Sequence, residues 1–495
     1  MWHQPAWVVL GYHNCGTPCK QGGIRLPPPV ESEPFLQHKC QYVCFFKNKT
    51  LNLHTKHYLA IEMKIKTALG YSYRIVEILL ILSITAFVLV GCKGTSQKNL
   101  LKIAAMTEED YRLSDEQRIA VRNSNDFAVN LFKKIAEKRE VSNIFVSTIG
   151  ILYSLNIITN GATGQTQQEI CNALNIDPTD VERINKFCRR FMIGQTKVTE
   201  NKFLGPTSYM RIATLFHIGE SVDINKSFQE VLEYDYFAGV IKGNIDGVMQ
   251  QRIDKWCTAR TGGLLNNLHI KEVDDESATL LVANYFNGRW IQEFDKEDTK
   301  EEPFYGGTSL KVDMMNKTEC ERTFSYAKLD DYSMLEIPYV GGYELYIILP
   351  DKVDGLTALL QSLDGSKIRY AASHLKAFDR VYTKIPKFKV DYTFKANEFL
   401  ASLGISKMFS DNSELTRIQS NPMKITEILQ STKVILDEDG TRAGALTSTS
   451  FATLSSIAHP TEAYFYADHP FAYIIADPFG NYCFMGTFWG NNNHK

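Results

Sequence analysis

Apolar residues recur at three- and four-residue intervals over residues 125–138, where Phe127, Leu131, Phe132 and Ile135 share one face and predict an amphipathic helix. Residues 169–174 and 184–192 also read as helix. Strand patterns follow at 280–286, 345–349, 383–389, 432–436, 471–475 and 482–486. Helices and strands that do not alternate strictly predict one α+β domain over residues 114–490. No internal repeat breaks that domain into smaller units.

Ahead of the domain, residues 78–90 (ILLILSITAFVLV) form an uncharged apolar run. It falls short of the roughly 20 residues a spanning helix needs. It has the length of a signal-peptide core, with Lys64, Lys66 and Arg74 on its N-terminal side. The run closes in Leu89-Val90-Gly91-Cys92, which resembles the bacterial lipoprotein box. That resemblance implies a signal over 63–92, a mature chain beginning at Cys92 and held to a membrane by acyl chains on its sulfur, and a tether over 93–113. The cell envelope, lipid-anchored or secreted, is the location it implies. The alternative is an uncleaved signal anchor, with the run extended back to Ile75 across Glu77.

A signal belongs near the start of a chain, so Met63 is the expected initiator and residues 1–62 an over-extended frame or a disordered segment. They contain Cys15-x3-Cys19 and Cys40-x3-Cys44 beside His13 and His38, a spacing that zinc could use. The same segment has little hydrophobic periodicity, and no metal or other cofactor is assigned to it.

Charge and cysteine placement narrow the partners. The formal net charge is −2 over 495 residues, with both signs interspersed and no basic stripe, which argues against a nucleic-acid partner. Cys171, Cys188, Cys257, Cys320 and Cys483 are scattered through the domain, unlike the dense cysteines of a disulfide-stapled fold, and read as small buried hydrophobes. There is no G-x-S-x-G elbow and no HExxH zinc motif, so no enzymatic activity is expected.

Between the strand ending near Leu436 and the one starting at Phe471 lie about 30 residues with little core pattern, a connection length that is usually functional. Gly440 suits a hinge there. Thr441, Ala443, Ala445, Thr447 and Thr449 then alternate with other residues, and all are small. A strand turns every second side chain to one face, so this segment could enter a sheet with the small residues toward the core. Arg442, Gly444, Leu446, Ser448 and Ser450 would face outward, and no proline interrupts residues 440–458. The competing reading is a flexible exposed linker, which Ser and Thr also favour.

Several segments, in order along the chain, resemble the serpin family. They include Asn143-Ile144-Phe145-Val146-Ser147, Gly161-Ala162-Thr163-Gly164-Gln165-Thr166, and the spacing of Ile253, Trp256, Thr261 and Gly263. Asn284-Tyr285-Phe286-Asn287-Gly288-Arg289-Trp290, Ile385-Pro386-Lys387-Phe388-Lys389, Asp437-Glu438-Asp439-Gly440-Thr441 and Ala467-Asp468-His469-Pro470-Phe471 continue the series. The resemblance implies mixed, mainly antiparallel sheets with eight or nine helices, an exposed reactive loop over about 438–466, and inhibition of a protease as a suicide substrate. The loop is cleaved, the protease is held as an acyl-enzyme, and the loop inserts into the main sheet.

Counting from Glu438 by the family's hinge length puts the reactive bond at Leu454–Ser455, with Phe451, Ala452 and Ser456 as alternatives. The implied partner is a serine protease, with a cysteine protease as the alternative, and its primary pocket is apolar, chymotrypsin-like or elastase-like, since residues 443–470 contain no Arg or Lys. A monomer is expected. Hinge residues are Glu438, Gly440, Thr441, Ala443 and Ala445; the gate in the sheet comprises Ser147, Gly150, Asp254, Trp290 and Gln430.

The gate departs from the family pattern. Thr148 stands for a proline, Gly150 for a serine and Asp254 for an asparagine, while Gln430 falls near a histidine. Coordinated change suggests a substitute network, with Asp254 pairing with Gln430. Small hinge residues favour an inhibitor over the alternative, a non-inhibitory binding or carrier protein of the same fold.

Overall fold

The computed structural model describes residues 111–139, 141–201, 205–263, 275–308, 311–320, 322–441 and 460–490. The helices among them are α1 (Asp115–Lys138), α2 (Thr148–Gly161), α3 (Gly164–Leu174), α4 (Val181–Thr196), α5 (Lys226–Glu230), α6 (Gly247–Thr261), α7 (Leu356–Ser362), α8 (Gly365–Ser373) and α9 (Asn397–Ser402). The strands are β1 (Ile144–Val146), β2 (Glu200–Asn201), β3 (Gly205–Pro206), β4 (Tyr209–Arg211), β5 (Thr214–Ile218), β6 (Gly239–Lys242) and β7 (Ser277–Arg289). Next come β8 (Lys300–Pro303), β9 (Lys311–Glu319), β10 (Ser325–Lys328), β11 (Tyr332–Pro338), β12 (Glu344–Pro350), β13 (Lys376–Ala377) and β14 (Arg380–Pro386). The last are β15 (Phe388–Lys395), β16 (Lys424–Asp437), β17 (Gly440–Thr441), β18 (Glu462–Tyr466), β19 (Phe471–Ala476) and β20 (Tyr482–Phe488).

Local chemistry sets the helix ends. α1 begins ten residues ahead of its apolar stripe because Ser114 and Gln117 form a reciprocal capping box, with Asp115 and Glu116 in the positive first turn. α2 is mainly apolar and almost wholly buried, and its buried Ser154 and Thr159 hydroxyls are satisfied by carbonyls one turn back.

Besides the short β2–β3 pair, the described strands form three sheets. The main sheet runs β15-β16-β17-β7-β5-β6, and β4 also pairs with β7. A second runs β1-β20-β19-β12-β11-β10-β13, and a third β18-β14-β9-β8. Most pairings are antiparallel; β16 with β7, β5 with β6 and β14 with β18 are parallel. The α+β class is thereby met. One continuous core holds α1, α2 and the inner faces of the main and second sheets.

The structure departs from the sequence reading in three places. Residues 383–389 form the end of β14 and the start of β15, which belong to different sheets. The break lies at Pro386, which has no amide to donate, and Lys387, whose amide turns to Asp313 O at 2.8 Å. Residues 462–466, read as loop, form β18, with Ala463 and Phe465 buried between exposed neighbours. Cys320 is exposed just past the end of β9, while the other four described cysteines are buried and all five are free. No helix of the described residues is long and apolar enough to cross a membrane; the run at 78–90 and Cys92 lie outside them.

Candidate functional site at the fork of the main sheet

β16 and β7 pair directly with each other from Lys424↔Ser277 to Lys433↔Tyr285. Beyond Lys433 they part, and the two residues of β17 sit between them, antiparallel to both: Thr441 lies opposite Leu436 and Gly288, Gly440 opposite Asp437 and Arg289. Gly440 has φ +148°, and a Cβ there would lie 2.1 Å from Gly288 O. Both conformation and space exclude a side chain. Thr441 is buried, and its Oγ1 shares a 2.6 Å hydrogen bond with the hydroxyl of Tyr339.

Tyr339 stacks on Trp290 with ring centroids 4.3 Å apart. The indole Nε1 of Trp290 donates to Asp437 O at 3.0 Å, tying the aromatic stack to the end of β16. The amides of Trp290 and Phe294 donate to Asp439 O and Glu438 O at 3.3 and 2.9 Å. The turn leading into β17 is thus held by its own carbonyls from the chain following β7.

The Glu438 side chain is also fastened. It is only 3% exposed, and Lys387 Nζ donates to its two oxygens at 3.2 and 2.9 Å, joined by Thr299 Oγ1 at 2.9 Å. Burial by itself pushes this carboxyl up, but the Lys387 ammonium and the Thr299 hydroxyl outweigh it and hold the group below its ordinary value. Lys387 shifts the other way: burial works against its charge, but the Glu438 carboxylate raises it overall.

Deeper in the sheet, Ser147 caps α2 and gathers the gate. Its Oγ accepts from Gly150 N at 3.3 Å and from Asn284 Nδ2 at 2.8 Å, and donates to Cys483 O at 3.4 Å. Gln430 reaches across from β16: its Oε1 accepts from Ser147 N at 2.9 Å and its Nε2 donates to Ser147 O at 2.8 Å. Gly150 is what lets Asn284 approach, because a Cβ there would meet Asn284 Nδ2 at 2.2 Å. Thr148 Oγ1 donates to Tyr482 O at 2.5 Å, which binds the first turn of α2 to β20.

The expected pairing of Asp254 with Gln430 does not form. Asp254 lies on α6 and accepts from Gln250 Nε2 at 2.9 Å, one turn away. α6 packs on the outer face of the main sheet through Met249, Ile253 and Cys257 against Leu281, Ala283 and Leu429. Side chains alternate along a strand, so Gln430 turns from Leu429's face to the opposite one, toward α2. Asp254 is not part of the gate.

Residues 122–490 match the family profile described as Serpin (serine protease inhibitor). The chain belongs to the serpin family. Serpin-Z10 of Arabidopsis thaliana is 29% identical over 396 residues, covering 76% of this chain and 99% of that one. The serine proteinase inhibitor 2 of Variola virus is 27% identical over 374 residues, covering 73% of this chain and 98% of its own. The native state of the thermophilic serpin tengpin superposes with TM-score 0.65 at 25% identity, covering 79% of this chain and 98% of that chain. Human thyroxine-binding globulin, solved in complex with thyroxine, shares the fold at TM-score 0.66 and 19% identity, covering 76% of this chain and 99% of that chain. The serpin activity at family level is protease inhibition, not catalysis.

Within the serpin body, Ser147, Gly150, Gln430 and Trp290 fall on the inner side or upper end of the main sheet, and Glu438, Gly440 and Thr441 at its fork. Ala443, Ala445, Leu454 and Ser455 lie outside the described residues. Tyr339 and Asn284 complete the site and were not picked out as members from the sequence. Asn284 stands in a quoted motif, but Tyr339 meets Thr441 across 102 positions, and no local signal marks it.

Proposed function

We propose that this serpin is an inhibitory one, trapping a serine protease as an acyl-enzyme when its cleaved loop enters the main sheet. The fork carries this reading: β17 already occupies the space between β16 and β7 at its mouth. Continuing the same register sets Ala443 opposite Phe286 and Val434, and Ala445 opposite Asn284 and Thr432. Thr441 is buried, so the alternating small residues after it would all turn to the face occupied by α2. Cleavage frees the chain to extend that strand downward, replacing the direct β16–β7 ladder with two antiparallel ones. The loop supplies strain and sequence; the protease supplies the chemistry.

The reactive bond is proposed as Leu454–Ser455 and the target as a chymotrypsin-like or elastase-like protease. Mixing the full chain with one enzyme of each kind, followed by denaturing gels and mass spectrometry, tests both points. A covalent complex releasing a peptide that starts at Ser455 supports the mechanism and the bond. Clean cleavage with no complex overturns inhibition in favour of a carrier of the same fold.

The lipid anchor at Cys92, and with it a cell-envelope location, is a further part of the proposal. It rests on the apolar run closing in Leu89-Val90-Gly91-Cys92. Mass spectrometry of the mature N-terminus decides it: an acylated Cys92 supports the anchor, and an intact Met1 or Met63 sinks it.

A further inference from the structure

β18 is an edge strand of the third sheet and follows the reactive loop directly. Its outward positions are Glu462, Tyr464 and Tyr466, alternating with buried Ala463 and Phe465. Edge strands are usually blunted by charge or proline, because an open edge invites association. Here two of the three outward side chains are tyrosines, 55% and 39% exposed.

These tyrosines belong to an ordered ladder with β14. Arg380, Tyr382 and Lys384 lie opposite Glu462, Tyr464 and Tyr466. Tyr382 and Tyr464 stack with centroids 4.7 Å apart and 8° between planes. Tyr464 meets Tyr466 edge to face at 6.2 Å, and Lys384 Nζ lies 5.5 Å from the Tyr466 ring. Glu462 accepts from Tyr382, Tyr464 and Arg380 at 3.3, 3.0 and 3.4 Å. The rings are therefore fixed before any partner arrives, so little rotamer freedom remains to be lost on binding.

We infer that this tyrosine ladder is a second contact surface for the target protease, engaged alongside the reactive loop. The inference rests on the proposed inhibitory reading and deepens it. Glu462 lies seven positions after Ser455, a reach of about 25 Å at full extension. A protease seated on the bond is thus tethered within its own dimensions of the ladder. Exposed, preorganised tyrosines are the side chains that most often anchor protein interfaces. The ladder adds affinity for the body of the enzyme, where the loop alone offers only a peptide.

The test uses the full chain and a chymotrypsin-like protease whose nucleophilic serine is replaced by alanine, so that binding is measured without acylation. Tyr464→Ala with Tyr466→Ala weakens binding about tenfold or more. Tyr464→Phe with Tyr466→Phe, which keeps the ring faces, retains affinity within about threefold. If the double alanine variant unfolds early, Tyr466→Ala alone carries the comparison and still weakens binding severalfold. Wild-type affinity in the alanine variants overturns the ladder and leaves the loop reading intact. An unbound wild-type chain overturns the loop reading, and the ladder with it. Variants that change only self-association, seen by sedimentation, assign the surface to a second copy and overturn the proposal.

Discussion

Gln430 and Ser147 are joined by two hydrogen bonds, the side-chain amide of one accepting from and donating to the main chain of the other at 2.9 and 2.8 Å. Both residues are fully buried. The pair ties β16 to the first turn of α2 directly beneath the line along which β16 and β7 would separate. A neutral amide that both donates and accepts suits one N–H and one C=O, and no single-function side chain of that size would satisfy both.

Replacing that amide should therefore weaken the closed sheet. Gln430→Ala leaves the buried N–H of Ser147 without a partner, at about 1–3 kcal/mol, while the Ser147 carbonyl keeps only its 3.3 Å bond from Ile151 N. A lower urea midpoint and faster spontaneous loss of inhibitory activity are expected. An unchanged midpoint would mean that water or a neighbour replaces the clamp.

Gly440→Ala addresses the hinge. The added Cβ falls against Gly288 O, and φ +148° is a conformation that side chains rarely adopt. The variant is expected to expel β17 from the fork, raising amide hydrogen exchange at residues 440–441 while leaving β5 and β6 protected. Unaltered exchange at the hinge would contradict the tight approach.

Thr441→Arg tests insertion itself. Thr441 is 1% exposed and bonded to Tyr339, so arginine there would bury a charge without a partner. The covalent protease complex should give way to cleaved chain and free enzyme. Inhibition that survives the substitution would show that the loop does not enter the sheet.

Glu438 links the hinge to acid pH. Its folded value lies below the ordinary one, since Lys387 and Thr299 outweigh burial. Its stabilising contribution is therefore present above the unfolded carboxyl's value and is lost as pH falls through the depressed folded value. Glu438→Gln should lower stability at neutral pH and shrink the difference from wild type under strongly acid conditions. Urea midpoints at both ends of that range check the sign.

Glu344 carries the opposite sign. Burial first, and the Glu336 carboxylate second, push its value up to about 8, and its Oε2 is buried with no hydrogen-bond partner. A raised value means stability that is full below the unfolded carboxyl's value and is lost as pH rises through about 8. Glu344→Gln should flatten that decline, so that the variant melts above wild type at pH values beyond about 8. Parallel melting curves across the range would contradict it.

How far the sequence reaches is seen in particular residues. Its own pattern marks α1, the buried strands and the alternating small residues after Gly440, because periodicity and side-chain size are local properties. The ordered motifs identify the serpin body, and Gly440 and Glu438 are legible as hinge. The partners are not. Gln430 and Asp254 look like a matched pair on the sequence, yet strand alternation and the seating of α6 put them on opposite faces of the sheet. The break at Pro386 and Lys387 falls inside a run, residues 383–389, that reads as one strand. Tyr339, Trp290, Lys387 and Thr299 converge on residues 437–441 from three separate stretches of chain. The sequence by itself determined the family, most of the helices and strands, and the chemistry of the hinge, though not β18 at residues 462–466. Only tertiary structure decided which polar groups meet, because hydrogen bonds between residues a hundred or more positions apart depend on how strands are ordered and turned, and no local spacing encodes that.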